Sequence, residues 1–169
     1  MTLRDNLSNL ESLKKLGRIP IDKENVEKIF AKASKAYRFS NVLIDSTFKD
    51  TYDYDNIIFL NIYNALKYGF TSLLYLYGYK TKSTGGGNYY TFSLGKEILI
   101  EEFKKNNRDE EELDNIKNTT KRIEKIVQER NDDLYTPIIS IISRTDLTTL
   151  ITDTKFLLDK TGEVIENYK

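Results

Sequence analysis

Apolar residues recur at three- and four-residue steps through four long stretches of this chain, and strict alternation of apolar and polar residues is hard to find. Steps of three and four place side chains on one face of an α-helix, whereas a half-buried strand needs alternation. The sequence therefore predicts an all-α fold. The clearest apolar stripe belongs to the third predicted helix and consists of Phe59, Ile62, Tyr63, Leu66, Phe70, Leu73, Leu74 and Tyr77, with Gly78 as the stop.

Glycine, proline and capping residues divide the chain into five to six predicted helices. The first (about 3–16) is expected to end at Gly17, and Asp22 is expected to cap a second helix that runs to about Thr47. A shorter fourth helix covers about 90–104, and a fifth ends near Leu134, before Pro137. A final helix covers about 146–168. The prediction is one helical bundle and one domain, residues 1–169.

The second and last predicted helices also have apolar inner faces. The second presents Val26, Phe30, Ala33, Tyr37, Ser40 and Ile44. The last presents Leu147, Leu150, Ile151, Thr154, Leu158, Thr161, Ile165 and Tyr168.

Composition restricts the chemistry of the chain. Cysteine and histidine are absent, which excludes disulfides, thiolate nucleophiles, imidazole ligands and an imidazole base. The 26 Lys and Arg residues balance 26 Asp and Glu residues, so any contact with nucleic acid must be local. No run of about 18 apolar residues occurs, and the first residues carry charges throughout. We expect a cytoplasmic protein with no membrane contact, no cofactor and no metal.

Arg130 occupies a position where the predicted fifth helix calls for an aliphatic residue. An unpaired buried guanidinium is costly, so Arg130 needs a carboxylate, a subunit interface, or a cleft that accepts an anion such as phosphate. The structural alternative is an ion pair with Glu129 or Asp133 near the helix end. The seam that contains Arg130, with spacings of 4, 3, 4, 3 and 4 residues, is Ile116, Thr120, Ile123, Val127, Arg130 and Leu134.

Residues 130–135, Arg-Asn-Asp-Asp-Leu-Tyr, resemble the Arg-Asn-x-x-x-Tyr form of the motif that ends a core helix in small actinobacterial-type proteins of the HEPN superfamily. Upstream, residues 62–78 and 85–88 are similar to the long helix of that family, with its Tyr-x-Ala core, terminal glycine and Gly-rich loop. Residues 13–19 resemble the opening of the family, and Thr145-Asp146 resembles the start of its last helix. The resemblance covers nearly the whole chain.

The resemblance implies a helical homodimer in which the arginine motifs of two subunits line one cleft. In active HEPN members this cleft cuts RNA without metal. Such proteins act in toxin–antitoxin pairs, often with a nucleotidyltransferase antitoxin, or in antiviral defence. By resemblance, Arg130 would contact phosphate, Asn131 would orient it, and Tyr135 would donate a proton or be modified by the partner enzyme.

The chain departs from the usual family pattern because Tyr135 stands where many members have histidine. A phenol with a pKa near 10 is a poor general base at neutral pH. Asn88 likewise replaces a histidine that often ends the Gly-rich loop of the family, although an amide still donates hydrogen bonds. Efficient cleavage of RNA would then need either a strongly depressed pKa at Tyr135 or a base from elsewhere, for which Asp132 and Asp133 are the nearest candidates.

Three weaker signals leave alternatives open. The Gly85-Gly86-Gly87 loop, with Lys82 nearby, could cradle phosphate, although flexibility explains it more simply. Tyrosines crowd the third helix and its flanks, where they could stack on bases or fill a core or interface. A metal hydrolase that uses only carboxylates has no positive support.

The sequence therefore predicts a HEPN-like component of a toxin–antitoxin or defence system that binds RNA or a nucleotide through Arg130, Asn131 and Tyr135, with Asn88 and Lys82 as further phosphate contacts. Metal-independent ribonuclease activity is the enzyme hypothesis. The alternative is a catalytically silent helical module that binds another protein.

Overall fold

The computed structural model describes residues 2–45, 52–82, 87–106, 109–134 and 143–168, with the side chains of 52–54, 87 and 127–134 outside the description. Within these ranges the chain forms six helices and one two-stranded ribbon, which confirms the all-α prediction. The strands are β1 (Leu16–Arg18) and β2 (Tyr79–Thr81). The helices are α1 (Leu3–Ser12), α2 (Lys23–Ile44), α3 (Tyr52–Leu76), α4 (Gly87–Lys105), α5 (Glu110–Leu134) and α6 (Arg144–Asn167).

Helix α3 lies at the centre of the bundle and contacts α2, α4 and α6. Its stripe is buried as the sequence predicts: Ile62, Leu66 and Leu73 are each at most 1% exposed. Burial of a leucine or isoleucine side chain stabilises a fold by about 1.5–3 kcal/mol. These residues join buried residues from the other five helices in one contiguous cluster, so α3 organises the core.

Helix α2 begins where the sequence predicts, because the Asp22 carboxylate accepts a hydrogen bond from the Asn25 backbone N–H at 3.3 Å. Its inner face packs on α3, with Val26, Ala33 and Ser40 fully buried. The Ser40 hydroxyl lies 3.5 Å from the Ile58 carbonyl oxygen. The two helices are antiparallel neighbours.

Helix α4 approaches α3 at a glycine. A Cβ atom at Gly95 would lie 2.3 Å from Cβ of Phe70 and 2.5 Å from its Cγ. Phe70 is itself buried, and its ring meets the Phe92 ring edge-on with 5.7 Å between the centroids. The contact between α3 and α4 therefore has no room for a side chain at position 95.

The prediction that Gly17 ends the first helix is wrong. Helix α1 ends at Ser12, and Lys14, with φ of 57°, turns the chain in the left-handed conformation that stops helices. Gly17 instead lies in β1, opposite Lys80 of β2. Gly78 ends the α3 segment as predicted, with φ of 75°, and donates its N–H to the Tyr75 carbonyl oxygen. These two turns bring the strands together.

A half-buried polar group joins the ends of α3 and α4. The Tyr77 hydroxyl donates a hydrogen bond to the Glu102 carboxylate, and Lys105 Nζ lies 3.0 Å from the same carboxylate. Burial raises the pKa of Tyr77 well above its ordinary value of 10, and the hydrogen bond and charge of Glu102 raise it further. Tyr77 is thus held neutral in the folded protein.

Replacing Tyr77 with phenylalanine is expected to lower stability by about 1 kcal/mol at neutral pH, because the hydrogen bond to Glu102 is lost. Above about pH 10 the unfolded wild-type chain ionises this phenol while the folded protein keeps its proton, so the wild-type protein loses stability as pH rises. The variant lacks this loss. We therefore expect the difference in the free energy of unfolding between wild type and Tyr77→Phe to be smaller at about pH 11 than at about pH 8, as measured by denaturant unfolding. Tyr89→Phe is the control, because Tyr89 is 71% exposed, and it should change the free energy of unfolding at neither pH.

Candidate functional site

The residues of the predicted phosphate site divide between described and undescribed parts of the chain. Arg130 and Asn131 belong to the last turns of α5, where the backbone is helical to Leu134 but the side chains fall outside the description. The side chains of Asp132 and Asp133 are also outside the description, and Tyr135 is outside it altogether. Residues 83–86 of the Gly-rich loop are also outside the described ranges. The position of Arg130 and Asn131 can thus be given only for the backbone.

Asn88 is an exposed residue in the first turn of α4 and hydrogen-bonds the Tyr63 hydroxyl. Burial raises the pKa of Tyr63, and the hydrogen bond from Asn88 opposes that rise. The Tyr63 ring also stacks on Phe92 with 5.1 Å between centroids. Asn88 therefore lies beside Tyr63, whose ring packs against Phe92.

Lys82 follows β2 and is exposed. Its backbone N–H donates to the Lys15 carbonyl oxygen at 3.0 Å, extending the ribbon. The preceding residue, Thr81, has its hydroxyl 3.1 Å from the Thr91 hydroxyl, and Thr91 lies three residues after Asn88 on α4. Lys82 is therefore attached to the same region of α4 as Asn88.

Two ion pairs fix the direction of α5. Lys96 of α4 contacts Glu124 of α5 at 2.5 Å, and Lys160 of α6 pairs with Glu112 near the start of α5. The Lys160 ammonium also lies 5.7 Å from the centroid of the Phe103 ring, near the end of α4. Because the end of α4 meets the start of α5, the two helices run antiparallel.

In this antiparallel arrangement, the end of α5 lies at the same end of the bundle as the start of α4. Lys96 lies eight residues after Asn88, and its partner Glu124 lies seven residues before Asn131. Helices rise by about 1.5 Å per residue, so both positions lie about 11 Å from the ion pair and at the same end of the bundle. The backbone of Arg130 and Asn131 is therefore brought to the level of Asn88.

A cavity of about 500 Å³ opens at this end of the molecule, between α5 and the first turns of α6. Among the described residues, Arg122 and Arg144 contribute its cationic groups. The other described residues that line it are Thr145, Thr148, Thr149, Thr152 and Asp153. Arg130 follows Arg122 by eight residues along α5, or about 12 Å.

Arg122 is committed to a two-point ion pair with Asp153. Its Nε and Nη2 atoms donate to the two carboxylate oxygens at 2.9 and 2.7 Å, and Nη2 lies 3.1 Å from the Thr119 hydroxyl. The hydrogen bond to Asp153 raises the pKa of Arg122. Asp153 is 6% exposed, whereas the Arg122 side chain is 50% exposed. This pair closes one wall of the cavity.

The other groups of the cavity are also partly engaged. Arg144 Nη1 lies 3.6 Å from Oδ1 of Asp55, a carboxylate at the start of α3. The hydroxyls of Thr148, Thr149 and Thr152 donate to carbonyl oxygens four residues earlier, which leaves their lone pairs as acceptors. Arg122 and Arg144 therefore each face a carboxylate, Asp153 and Asp55 respectively.

Sequence reasoning missed the Arg122–Asp153 pair. The signal was present, because Asp153 is three residues after Leu150 and four before Leu157, on the apolar side of α6. A carboxylate at such a position must find a donor. Its partner could not be chosen from sequence, since the register between α5 and α6 was unknown.

The described residues form an all-α helical bundle. Comparisons with protein-family models, with curated proteins and with solved structures found no match. Among the described residues, no helix is long and apolar enough to cross a membrane. The same part of the chain holds no group of three or more acidic side chains suited to a metal ion.

Proposed function

We propose that this protein is a HEPN-like component of a toxin–antitoxin or antiviral defence system that binds RNA or a nucleotide at the end of the bundle where α4 begins and α5 ends. The observation that carries the proposal is the antiparallel register of α4 and α5, fixed by Lys96 and Glu124. That register supports a site shared by Asn88 and the Arg130-Asn131 pair.

Electrostatics give Arg130 its proposed role. The cavity beside the end of α5 holds Arg122 and Arg144, which face Asp153 and Asp55. Arg130 would add a further guanidinium at this end of the bundle. A guanidinium binds phosphate through two parallel N–H donors, and such charge-assisted bonds are stronger than neutral ones.

The remaining roles rest on the resemblance. Asn131 would orient the phosphate, Tyr135 would donate a hydrogen bond or a proton, and two subunits would form the cleft together. Asn88 and Lys82 would contact neighbouring phosphates. Metal-independent cleavage of RNA is the proposed reaction: the ribose 2′-hydroxyl would attack the phosphorus and lose its proton to Asp132 or Asp133, while Tyr135 would donate a proton to the departing 5′-oxygen, since the chain has no histidine. A nucleotidyltransferase is the proposed antitoxin.

Substitution of Arg130 tests the site directly. We expect Arg130→Ala to weaken binding of mixed cellular RNA about tenfold or more, because a charge-assisted hydrogen bond contributes about 1.5–3 kcal/mol. Equilibrium binding of fluorescently labelled RNA gives the affinity, and incubation of the RNA with chelator present gives any metal-independent cleavage. Lys121→Ala is the matched control, because it removes one positive charge from an exposed position of the same helix.

The proposal fails if wild type, Arg130→Ala and Lys121→Ala bind RNA equally, provided that circular dichroism shows all three to be folded. Binding without cleavage would retain the site and remove the enzyme. No binding by wild type would leave the alternative, a protein-binding module, which is favoured by the exposed apolar residues of α2 and α3.

A further inference from the structure

The outer surface of α2 and α3 carries four exposed apolar side chains close together. Phe39 and Val42 of α2 are 51% and 66% exposed, and Ile57 and Leu60 of α3 are 41% and 51% exposed. Because Ser40 lies against Ile58, these residues share one end of the antiparallel pair. Scattered surface apolar residues are ordinary, but a contiguous set marks an interaction surface.

Two of these side chains, Phe39 and Val42, line a groove of about 540 Å³. We call it the α2–α3 groove. Its apolar lining comes from Ala36, Phe39 and Val42 of α2 and from Tyr68 of α3, with Asn61 as a polar group. Asn61 donates its side-chain N–H to the Ile57 carbonyl oxygen at 2.8 Å, which keeps that amide on α3. The floor is therefore mostly apolar.

The rim of the α2–α3 groove is basic. Lys32, Lys35 and Arg38 line it, and no acidic residue is among the described residues that do so. Residues 28–44 contain four cations and no acid, although the whole chain has a formal net charge of zero. The groove thus combines apolar contacts with charge of a single sign.

We propose that the α2–α3 groove binds an acidic amphipathic helix of a partner protein. Lys32 and Val42 are ten residues apart, or about 15 Å, which matches about three turns of a bound helix. Apolar side chains of that helix at positions i, i+3 or i+4, and i+7 would enter the groove. Glutamates or aspartates beside them would meet Lys32, Lys35 and Arg38.

Charge argues against a second copy of this chain as the occupant. A two-fold dimer places the same surface of both subunits in contact, so the three cations of one groove would face those of the other. Ala36 and Val42 of the lining offer neither stacking planes nor hydrogen bonds to RNA, whereas apolar side chains of a helix would cover them. Stacking of bases on Phe39 and Tyr68 is the competing outcome that the RNA measurement below tests. The groove inference does not depend on the proposed RNA site.

A synthetic helical peptide provides the test. The probe has leucines at i, i+3 and i+7 flanked by glutamates, and a second peptide has lysines in place of the glutamates. The full-length protein is expected to bind the acidic peptide at least about tenfold more tightly than the basic one, measured by fluorescence anisotropy. Raising the salt from about 0.05 to about 0.5 M should weaken this binding, since screening reduces the charge contribution.

Two pairs of variants locate the binding surface. Val42→Asp is expected to weaken acidic-peptide binding at least about tenfold, because it puts a carboxylate among the apolar contacts. Leu13→Asp is its control, because Leu13 is 59% exposed in the turn after α1 and does not line the groove. Lys35→Glu should weaken binding, while Lys121→Glu on α5 should not. All four positions are exposed, so circular dichroism should show folded proteins.

Three kinds of result would overturn the inference. The first is a peptide result: equal binding of the two peptides by wild type, or acidic-peptide binding that Val42→Asp leaves unchanged. The second is concentration-dependent dimerisation of wild type that Val42→Asp abolishes, which would make a second copy the occupant. The third is loss of RNA binding in Val42→Asp with retention in Arg130→Ala, which would make the groove an RNA surface and also contradict the site proposed at α5.

Discussion

Gly95→Ala is expected to destabilise the protein by about 3 kcal/mol. The new Cβ would lie 2.3 Å from Cβ of Phe70, a distance that no rotation of the phenylalanine side chain can relieve. Helices α3 and α4 would have to separate. Alanine favours helix over glycine by about 1 kcal/mol, but this gain is smaller than the cost of the clash.

Gly69→Ala provides the control for that prediction. Its Cβ would meet only Cδ2 of Leu158, at 2.8 Å, and the end of a leucine side chain can rotate away. We expect a loss of at most about 1 kcal/mol, because the helix preference of alanine offsets part of the contact. Urea unfolding followed by circular dichroism measures both variants. Equal midpoints for wild type and Gly95→Ala would show that α3 and α4 do not pack as closely as described.

Arg122→Ala should destabilise the protein by about 2–3 kcal/mol, because it leaves the buried Asp153 carboxylate without its two-point partner. The Arg122 side chain is half exposed, so water screens part of the interaction and the loss should be below that of a fully buried pair. Urea unfolding at neutral pH gives the value.

Lys121→Ala, one residue earlier on the same helix, should cost less than about 0.5 kcal/mol. The double variant Arg122→Met/Asp153→Leu should recover much of the lost stability, since it removes both charges together. If Arg122→Ala were no worse than Lys121→Ala, Asp153 would have to find another donor. In either case the result separates the stability role of Arg122 from the RNA-binding role proposed for Arg130.

Much of the fold could be predicted because periodicity reports burial. Leu66 and Leu73 of α3, and Leu147 and Ile165 of α6, are buried as their spacing predicts, and Asp22 caps α2. The ribbon could not be predicted in this way. Each strand has three residues, which is too short for alternation to appear, and the pairing of Gly17 with Lys80 depends on the turn at Lys14.

The candidate site was less accessible from sequence. Arg130 stands out in the sequence because it occupies a position in an apolar seam. This can be recognised without knowing which residue it contacts. The Lys96–Glu124 contact shows that Asn88 and the end of α5 lie at the same level, and the contact of Arg122 with Asp153 shows one wall of the cavity. These contacts join residues on different helices. The sequence shows where the charged residues are, but it does not show which of them pair.

The β1–β2 ribbon also bears on the order in which the chain folds. Its paired residues Arg18 and Tyr79 are separated in sequence by all of α2 and α3. Joining them closes a long loop, and the entropy lost in that closure is smaller once the helical hairpin has already drawn the ends together. We expect the hairpin of α2 and α3 to form first and the N-terminal segment to dock on it afterwards. Strand β1 would then join the fold late, although it precedes both helices in the sequence.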